Sequence, residues 1–193
     1  MTSVYEKLIA VKEHKGSGYL VLIDPDKKSE TETLKTAEAC AEKGADAILV
    51  GSSLLISSRF GSTIQAIKKE FDIPVIIFPG STIQLSEFAD AVFFLSLISG
   101  RNPEFLIGAQ VLGAPIVRKM ALEAIATGYM LVESGKTTAA EFMSNSKPIE
   151  ESTLSRPHFL ERLRLEKLRT DRSKTPLSMI LFDLSQKETR RDG

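Results

Sequence analysis

Apolar positions in this chain fall into short unbroken runs, separated by longer stretches in which they recur every three or four residues. The unbroken runs are Tyr19 to Ile23, Ala47 to Val50, Val75 to Phe78, Ala91 to Leu95 and Ile125 to Val132. Each is rich in β-branched or aromatic residues and bounded by Gly, Pro, Ser or Asp, which predicts strands buried on both faces. Between them the spacing predicts helices. Ser29 to Lys43 opens on a capping serine and closes at Gly44. Ser57 to Glu70 and Thr82 to Phe88 follow, and Pro103 to Leu112 starts behind Asn102 as a cap and stops at Gly113.

Strands without alternation, each followed by a helix, predict a parallel sheet covered on both faces. A doubly wound sheet and a (β/α)8 barrel both satisfy that pattern. No Gly-x-Gly-x-x-Gly follows the first strand and no Gly-x4-Gly-Lys-Ser/Thr loop occurs, so the barrel is favoured over a nucleotide-binding sheet. The rhythm runs to about Glu150. Beyond Ser144-Asn145-Ser146-Lys147-Pro148 the composition changes. Arg156 to Arg172 reads as a helix with Phe159, Leu163, Leu165 and Leu168 on an apolar stripe, Thr175-Pro176 breaks it, and Leu177 to Leu184 reads as a further buried strand. The expected organisation is a barrel-like domain over 1–149 and an unrelated helix-strand tail over 150–193.

Composition narrows the function classes. The 193 residues include 42% apolar and 26% charged side chains, ordinary for a globular domain. Twenty-five basic residues balance twenty-five acidic ones, so no global field draws the chain to nucleic acid. No apolar run reaches the roughly 18 residues of a spanning helix, and Met1 to Lys15 is charged and amphipathic rather than a signal peptide. Cys40 is the only cysteine, which excludes an intrachain disulfide and fits a reducing, cytoplasmic setting.

The candidate chemistry lies just past the strands. In parallel α/β proteins ligands sit at the strands' carboxyl ends. Asp24 follows the first strand and precedes Pro25. With Asp26 and the hydroxyl of Ser53 it forms a hard-oxygen set suited to Mg2+, which takes one or two carboxylates and leaves the rest to water and phosphate. Asp24 could equally cap the turn. Gly51-Ser52-Ser53 equally reads as a helix cap with its backbone N–H groups free to receive phosphate oxygens. Phe78-Pro79-Gly80-Ser81 repeats the form, and Ser96 with Ser99-Gly100-Arg101-Asn102 makes a fourth polar rim. There Arg101 is either a phosphate contact or a solvated surface residue. His14 and His158 have no partners at metal-ligand spacing.

These strand ends resemble geranylgeranylglyceryl phosphate synthases. The resemblance rests on Leu22-Ile23-Asp24-Pro25-Asp26-Lys27, Ala45 to Ser53, Phe78-Pro79-Gly80-Ser81, Phe94 to Pro103 and Thr127 to Gly135, and covers roughly residues 1–148. It implies an incomplete TIM-type (β/α)8 barrel of about five β/α units. It also implies prenyl transfer from a polyprenyl diphosphate to the 3-hydroxyl of sn-glycerol 1-phosphate, with Mg2+ held by Asp24 and Ser53. After Ile149 the family carries three more strands, with a catalytic glutamate and the glycine-rich loops that hold glycerol phosphate. Their absence from this sequence implies impaired turnover, or a non-catalytic chain acting through binding or assembly. It also implies open sheet edges that a homo-oligomer would cover. The tail, through Arg156-Pro157-His158-Phe159-Leu160 and Pro176 to Asp183, is faintly similar to the start of a GGDEF-type nucleotide-cyclase domain, with Ser185 where that domain has a second aspartate.

Overall fold

In the computed structural model the described residues are 2–16, 18–56, 58–97, 99–131, 139–147, 149–150 and, as backbone, 178–182. The predicted helix over 156–172, His158, the Thr175-Pro176 break, Asp183 and the tail from Ser185 lie outside them. So do Val132 to Gly135 of the last family-like motif. The chain forms two compact units, one of Met1–Phe94 with Gly108–Ile125, the other of Leu95–Ile107 with Ala126–Gly193.

The first unit opens with helix α1 (Val4–Lys15). All four donors at its amino end are satisfied. Ser3 and Glu6 exchange bonds as a capping box, and the Glu123 carboxylate accepts the N–H groups of Val4 and Tyr5 at 2.7 and 2.9 Å. Strand β1 (Leu20–Ile23) follows, then α2 (Glu30–Glu42), where the predicted cap holds: Ser29 and Glu32 form a second capping box. The Ser29 hydroxyl, and then its N–H, hold the Glu32 carboxyl below its ordinary range. Strand β2 (Ala47–Val50), helix α3 (Phe60–Glu70) and strand β3 (Val75–Ile77) complete the repeat.

Strands β1, β2 and β3 pair in parallel and in chain order, with Ile23 opposite Val50 and Val50 opposite Ile77. Strand β4 (Ala91–Leu97) joins β3 through Ile76↔Ala91 and Ile77↔Val92. A doubly wound sheet reverses its strand order at a switch point, and this one does not. Both sheet faces are covered, as the unalternating runs required. On one, Ile23, Val50, Val75, Ile77 and Val92 pack with Ala37, Cys40, Phe60, Ile64 and Ile67 of the helices. On the other, Leu49, Ile76 and Phe93 are fully buried, whereas Leu22, which pairs with Leu49 at the β1 edge, is 44% exposed.

Two predicted helices differ in the structure. Thr82 to Phe88 forms successive turns. The Ser81 carbonyl takes the Gln84 N–H at 3.1 Å, and the Ser86 hydroxyl takes that of Phe88 at 3.3 Å. Such side-chain and turn bonds compete with helix in short polar segments. Gly113 does not end a helix either. A π-helical turn (Glu104–Gly108) leads into α4 (Ala109–Lys119), which carries both Gly113 and Pro115 in its interior. An interior proline costs about 3 kcal/mol. Burial of Gly113 and Val117 against the core offsets it, with Thr82 and Phe94 lying where a Gly113 side chain would point.

In the second unit, Asn102 is the predicted cap, its Oδ1 accepting the Glu104 N–H at 3.0 Å. Strand β5 (Glu123–Leu131), which begins in the first unit, pairs in parallel with β6 (Ser178–Phe182) through Thr127↔Ser178 to Leu131↔Phe182. The strand predicted over Leu177 to Leu184 is therefore present. Helix α5 (Ala139–Ser144) precedes an antiparallel bridge between Ser146 and Gly100.

Candidate functional site

The shared register of β1, β2 and β3 puts the residues that follow them, Asp24, Gly51 and Phe78, at one level of the sheet's carboxyl edge. Three turns meet there. Asp24 closes its own turn, with Oδ1 accepting the Asp26 N–H at 3.0 Å and its carbonyl accepting that of Lys27 at 3.3 Å. The other carboxylate oxygen faces the β2 turn. It lies 3.3 Å from the Ser52 hydroxyl and 3.4 Å from the exposed Lys27 ammonium. The capping role and a carboxylate oxygen turned toward the β2 turn and Lys27 thus coexist in one side chain.

Asp26 also reaches across, accepting the Ile56 N–H at 2.7 Å. Ser52 donates to the Leu54 carbonyl at 2.9 Å. A hydroxyl has one proton, so this shorter bond leaves the Asp24 contact as the weaker of the two. Ser53, the predicted partner of Asp24, is exposed in the same turn. The described hydroxyl that meets Asp24 is that of Ser52.

Two of the backbone amides of this turn, those of Gly51 and Ser52, are engaged within the protein rather than open to phosphate. Gly51 donates to the Ile23 carbonyl at 3.2 Å, and Ser52 donates to Oε1 of Gln84 at 3.0 Å. Gly51 and Gly80 are glycine for steric reasons. A Cβ on Gly51 would run into the Phe78 carbonyl oxygen, and one on Gly80 into that of Ser52. The β2 and β3 turns therefore touch through bare backbone.

Gln84 was not singled out from the sequence. It is 1% exposed, and its amide bonds Ser52 and Gly80 together. The available signal was an amide residue between Ile83 and Leu85 just past a strand-end Pro-Gly-Ser turn, which a helical reading turns toward solvent.

For a divalent cation this edge offers the sparse oxygen set that Mg2+ tolerates: the Oδ2 of Asp24 with the Ser52 hydroxyl beside it. Among the described residues no three His, Cys, Asp or Glu side chains cluster as a metal cage. His14 stands exposed at the end of α1. In the second unit the fourth predicted rim is held by its own bonds. Ser99 accepts the Leu131 N–H at 3.0 Å, Arg101 Nη1 donates to the Gly100 carbonyl at 3.0 Å, and Asn102 Nδ2 donates to Met143 at 3.1 Å. Tyr129 on β5 is largely buried, and desolvation pushes its phenol up to about 12.

The strand order and the turns at the carboxyl edge are those of a protein of the (β/α)8-barrel fold class. Residues 9–154 match the PcrB family, and the chain belongs to that family. Geranylgeranylglyceryl phosphate synthase of Chitinophaga pinensis is 44% identical over 146 residues, covering 76% of this chain and 58% of that protein. The enzyme of the same name from Methanothermobacter marburgensis is 43% identical over 131 residues, covering 68% and 53%. The crystal structure of (S)-3-O-geranylgeranylglyceryl phosphate synthase from Thermoplasma acidophilum, in complex with its substrate sn-glycerol-1-phosphate, superposes with a TM-score of 0.74. It is 33% identical, with 84% of this chain and 67% of that one covered. The chain thus spans somewhat over half the length of the curated relatives it matches. The expected fold class, an incomplete TIM-type barrel with an appended strand, holds. No described helix is long and apolar enough to cross a membrane.

Proposed function

We propose that this chain takes part in prenyl transfer of the geranylgeranylglyceryl phosphate synthase type, in the cytoplasm and in lipid biosynthesis. The 3-hydroxyl oxygen of sn-glycerol 1-phosphate bonds to C1 of a polyprenyl diphosphate, the C1–O bond to diphosphate breaks, and the hydroxyl proton is released. The observation that carries this reading is the common level of Asp24 and the Ser52-Ser53 turn, within a family match that includes both. Asp24 and Ser53 would hold Mg2+. When bound, the cation neutralises charge on the departing diphosphate. Asp24 itself is preorganised by the Asp26 amide, so its outward oxygen costs little to orient. The exposed Lys27 ammonium adds positive charge at the same edge. Exposed apolar side chains on this unit, Ile83, Val111 and Leu112 among them, are available to an isoprenoid tail.

A second reading is a non-catalytic chain that binds diphosphate, or assembles as a homo-oligomer, without turnover. It is favoured by residues 155–193, which fall outside the family match. A chain whose tail replaces the family's glycerol phosphate loops would be impaired. Both readings meet one experiment. The purified chain is incubated with Mg2+, sn-glycerol 1-phosphate and a labelled polyprenyl diphosphate, beside Asp24→Ala and an EDTA control. Prenylated glycerol phosphate that vanishes in both controls supports transfer. Folded protein that binds Mg2+ and diphosphate but makes no product supports the second reading.

A further inference from the structure

We infer that Gln84 is a positioning residue for this site: its buried amide ties the β2 turn to the β3 turn and thereby sets where Ser52 and Ser53 stand beside Asp24. The inference rests on the proposed Mg2+–diphosphate role of that edge. Gln84 Oε1 accepts N–H from Ser52 at 3.0 Å and from Gly80 at 3.3 Å, and Nε2 donates to the Ser52 carbonyl at 2.7 Å. The amide is therefore engaged from both sides by backbone. Its orientation is set by those partners, because a flipped amide would turn its NH2 group toward two N–H donors.

A side chain that only filled space here would be apolar, since an amide 1% exposed is tolerated only when its polar atoms are bonded. The turn structure of residues 81–88 follows from this. The Gln84 N–H closes on the Ser81 carbonyl at 3.1 Å, which aims the side chain back at β2. A Cβ on Gly80 would come within 3.1 Å of Nε2, so the glycine also makes room for the amide. On the other side Asp26 holds the Ile56 N–H at 2.7 Å. The β2 turn is thus gripped at both ends. Gln84 is the grip that stands behind the turn: its bonds are to backbone, and it reaches the ligand only through Ser52 and Ser53.

The test uses Mn2+ as probe cation, with inorganic diphosphate, followed by electron paramagnetic resonance titration of the full chain. Wild type is compared with Asp24→Ala, Gln84→Met, Gln84→Asn and Ile67→Val. The last trims a fully buried side chain of α3 and so controls for lost stability. Gln84→Met is expected to weaken Mn2+–diphosphate binding about tenfold, the factor that one lost hydrogen bond's net worth produces. Ile67→Val should leave it unchanged. Gln84→Asn keeps the amide one methylene short and should weaken binding too, which serves if the Met variant does not fold. In wild type, the Ser52 and Gly80 amides should exchange with deuterium as slowly as those of β2. Wild-type-like binding in the folded Gln84 variants, or fast exchange at those amides, overturns the positioning role alone. Binding that Asp24→Ala leaves intact, or its absence from wild type, overturns the site reading and this inference with it.

Discussion

Asp46 and Tyr19 are joined twice: the Asp46 N–H donates to the Tyr19 carbonyl at 2.7 Å, and the Asp46 carboxylate accepts the Tyr19 N–H at 2.8 Å. The same reciprocal pair recurs between Asp90 and Val75, at 2.9 and 2.8 Å. In each case the aspartate stands just before a strand, β2 or β4, and its partner at the start of the preceding strand (Val75) or one residue before it (Tyr19). A lysine from the helix before that strand completes each clamp, Lys15 at 2.6 Å and Lys68 at 2.9 Å. Two strand pairs are thereby pinned at their amino ends. Register is what places Asp24 level with Gly51 at the other end, so the clamps act on the site from a distance.

Asp46→Ala should destabilise the chain by about 1 kcal/mol, because it removes charge-assisted bonds to Tyr19 and Lys15 that water only partly replaces. The Lys15 bond first, and the Tyr19 N–H second, hold the Asp46 carboxyl below its ordinary range. The folded value is the lower one, so this contribution is present above the unfolded value of about 3.9 and fades as pH falls through the folded value. Urea unfolding at pH 6 and at pH 2.5 checks this. The gap between wild type and variant should be wider at pH 6 than at pH 2.5, and an equal gap at both would refute the clamp's electrostatic part.

Two glycines should respond to alanine in different ways. Gly44 follows α2 with φ +74° and open space around it, so Gly44→Ala should cost about 1 kcal/mol of conformational strain and leave the fold intact. Gly51→Ala drives a methyl group into the Phe78 carbonyl and must part the β2 and β3 turns. It should cost roughly 3 kcal/mol or more, at the upper end for overpacking. Thermal unfolding ranks the two, and Mn2+–diphosphate binding should survive only in Gly44→Ala.

Tyr129 predicts an alkaline limit. Burial raises its phenol from the ordinary 10.0 to about 12, so the folded state favours the protonated form. Its contribution is whole below pH 10 and is lost as pH rises from there to about 12, up to about 2.7 kcal/mol for this shift. Tyr129→Phe has no such proton to lose. Guanidinium unfolding at pH 8 and pH 11 should show a steeper loss for wild type than for the phenylalanine variant. Parallel losses would mean that the phenol is solvated.

The elements visible in the sequence were those decided locally. Val50 ends β2 because Gly51 can press against backbone, and Ser29 starts α2 because its hydroxyl meets the Glu32 N–H. The β2 strand matches its prediction residue for residue, since four buried apolar side chains in a row admit no other face. The two helical misreadings arose where distant groups outweighed local preference. Residues 82–88 have a helical pattern, yet Gln84 is claimed by Ser52, more than thirty positions away in the chain. Gly113 reads as a stop, yet α4 continues through it because its buried face is held by the core.

The sequence by itself determined that the chain is a parallel β/α repeat with an acidic residue and hydroxyl turns past its strands, because period, caps and strand-end chemistry are short-range properties. Only the tertiary structure decided which of those groups meet. It brought the Ser52 hydroxyl to Asp24, gave the Gly51 and Ser52 amides to Ile23 and Gln84, and locked the strand starts through Asp46 and Asp90. Hydrogen bonds between strand ends depend on register and backbone approach to within an ångström, which no linear spacing encodes.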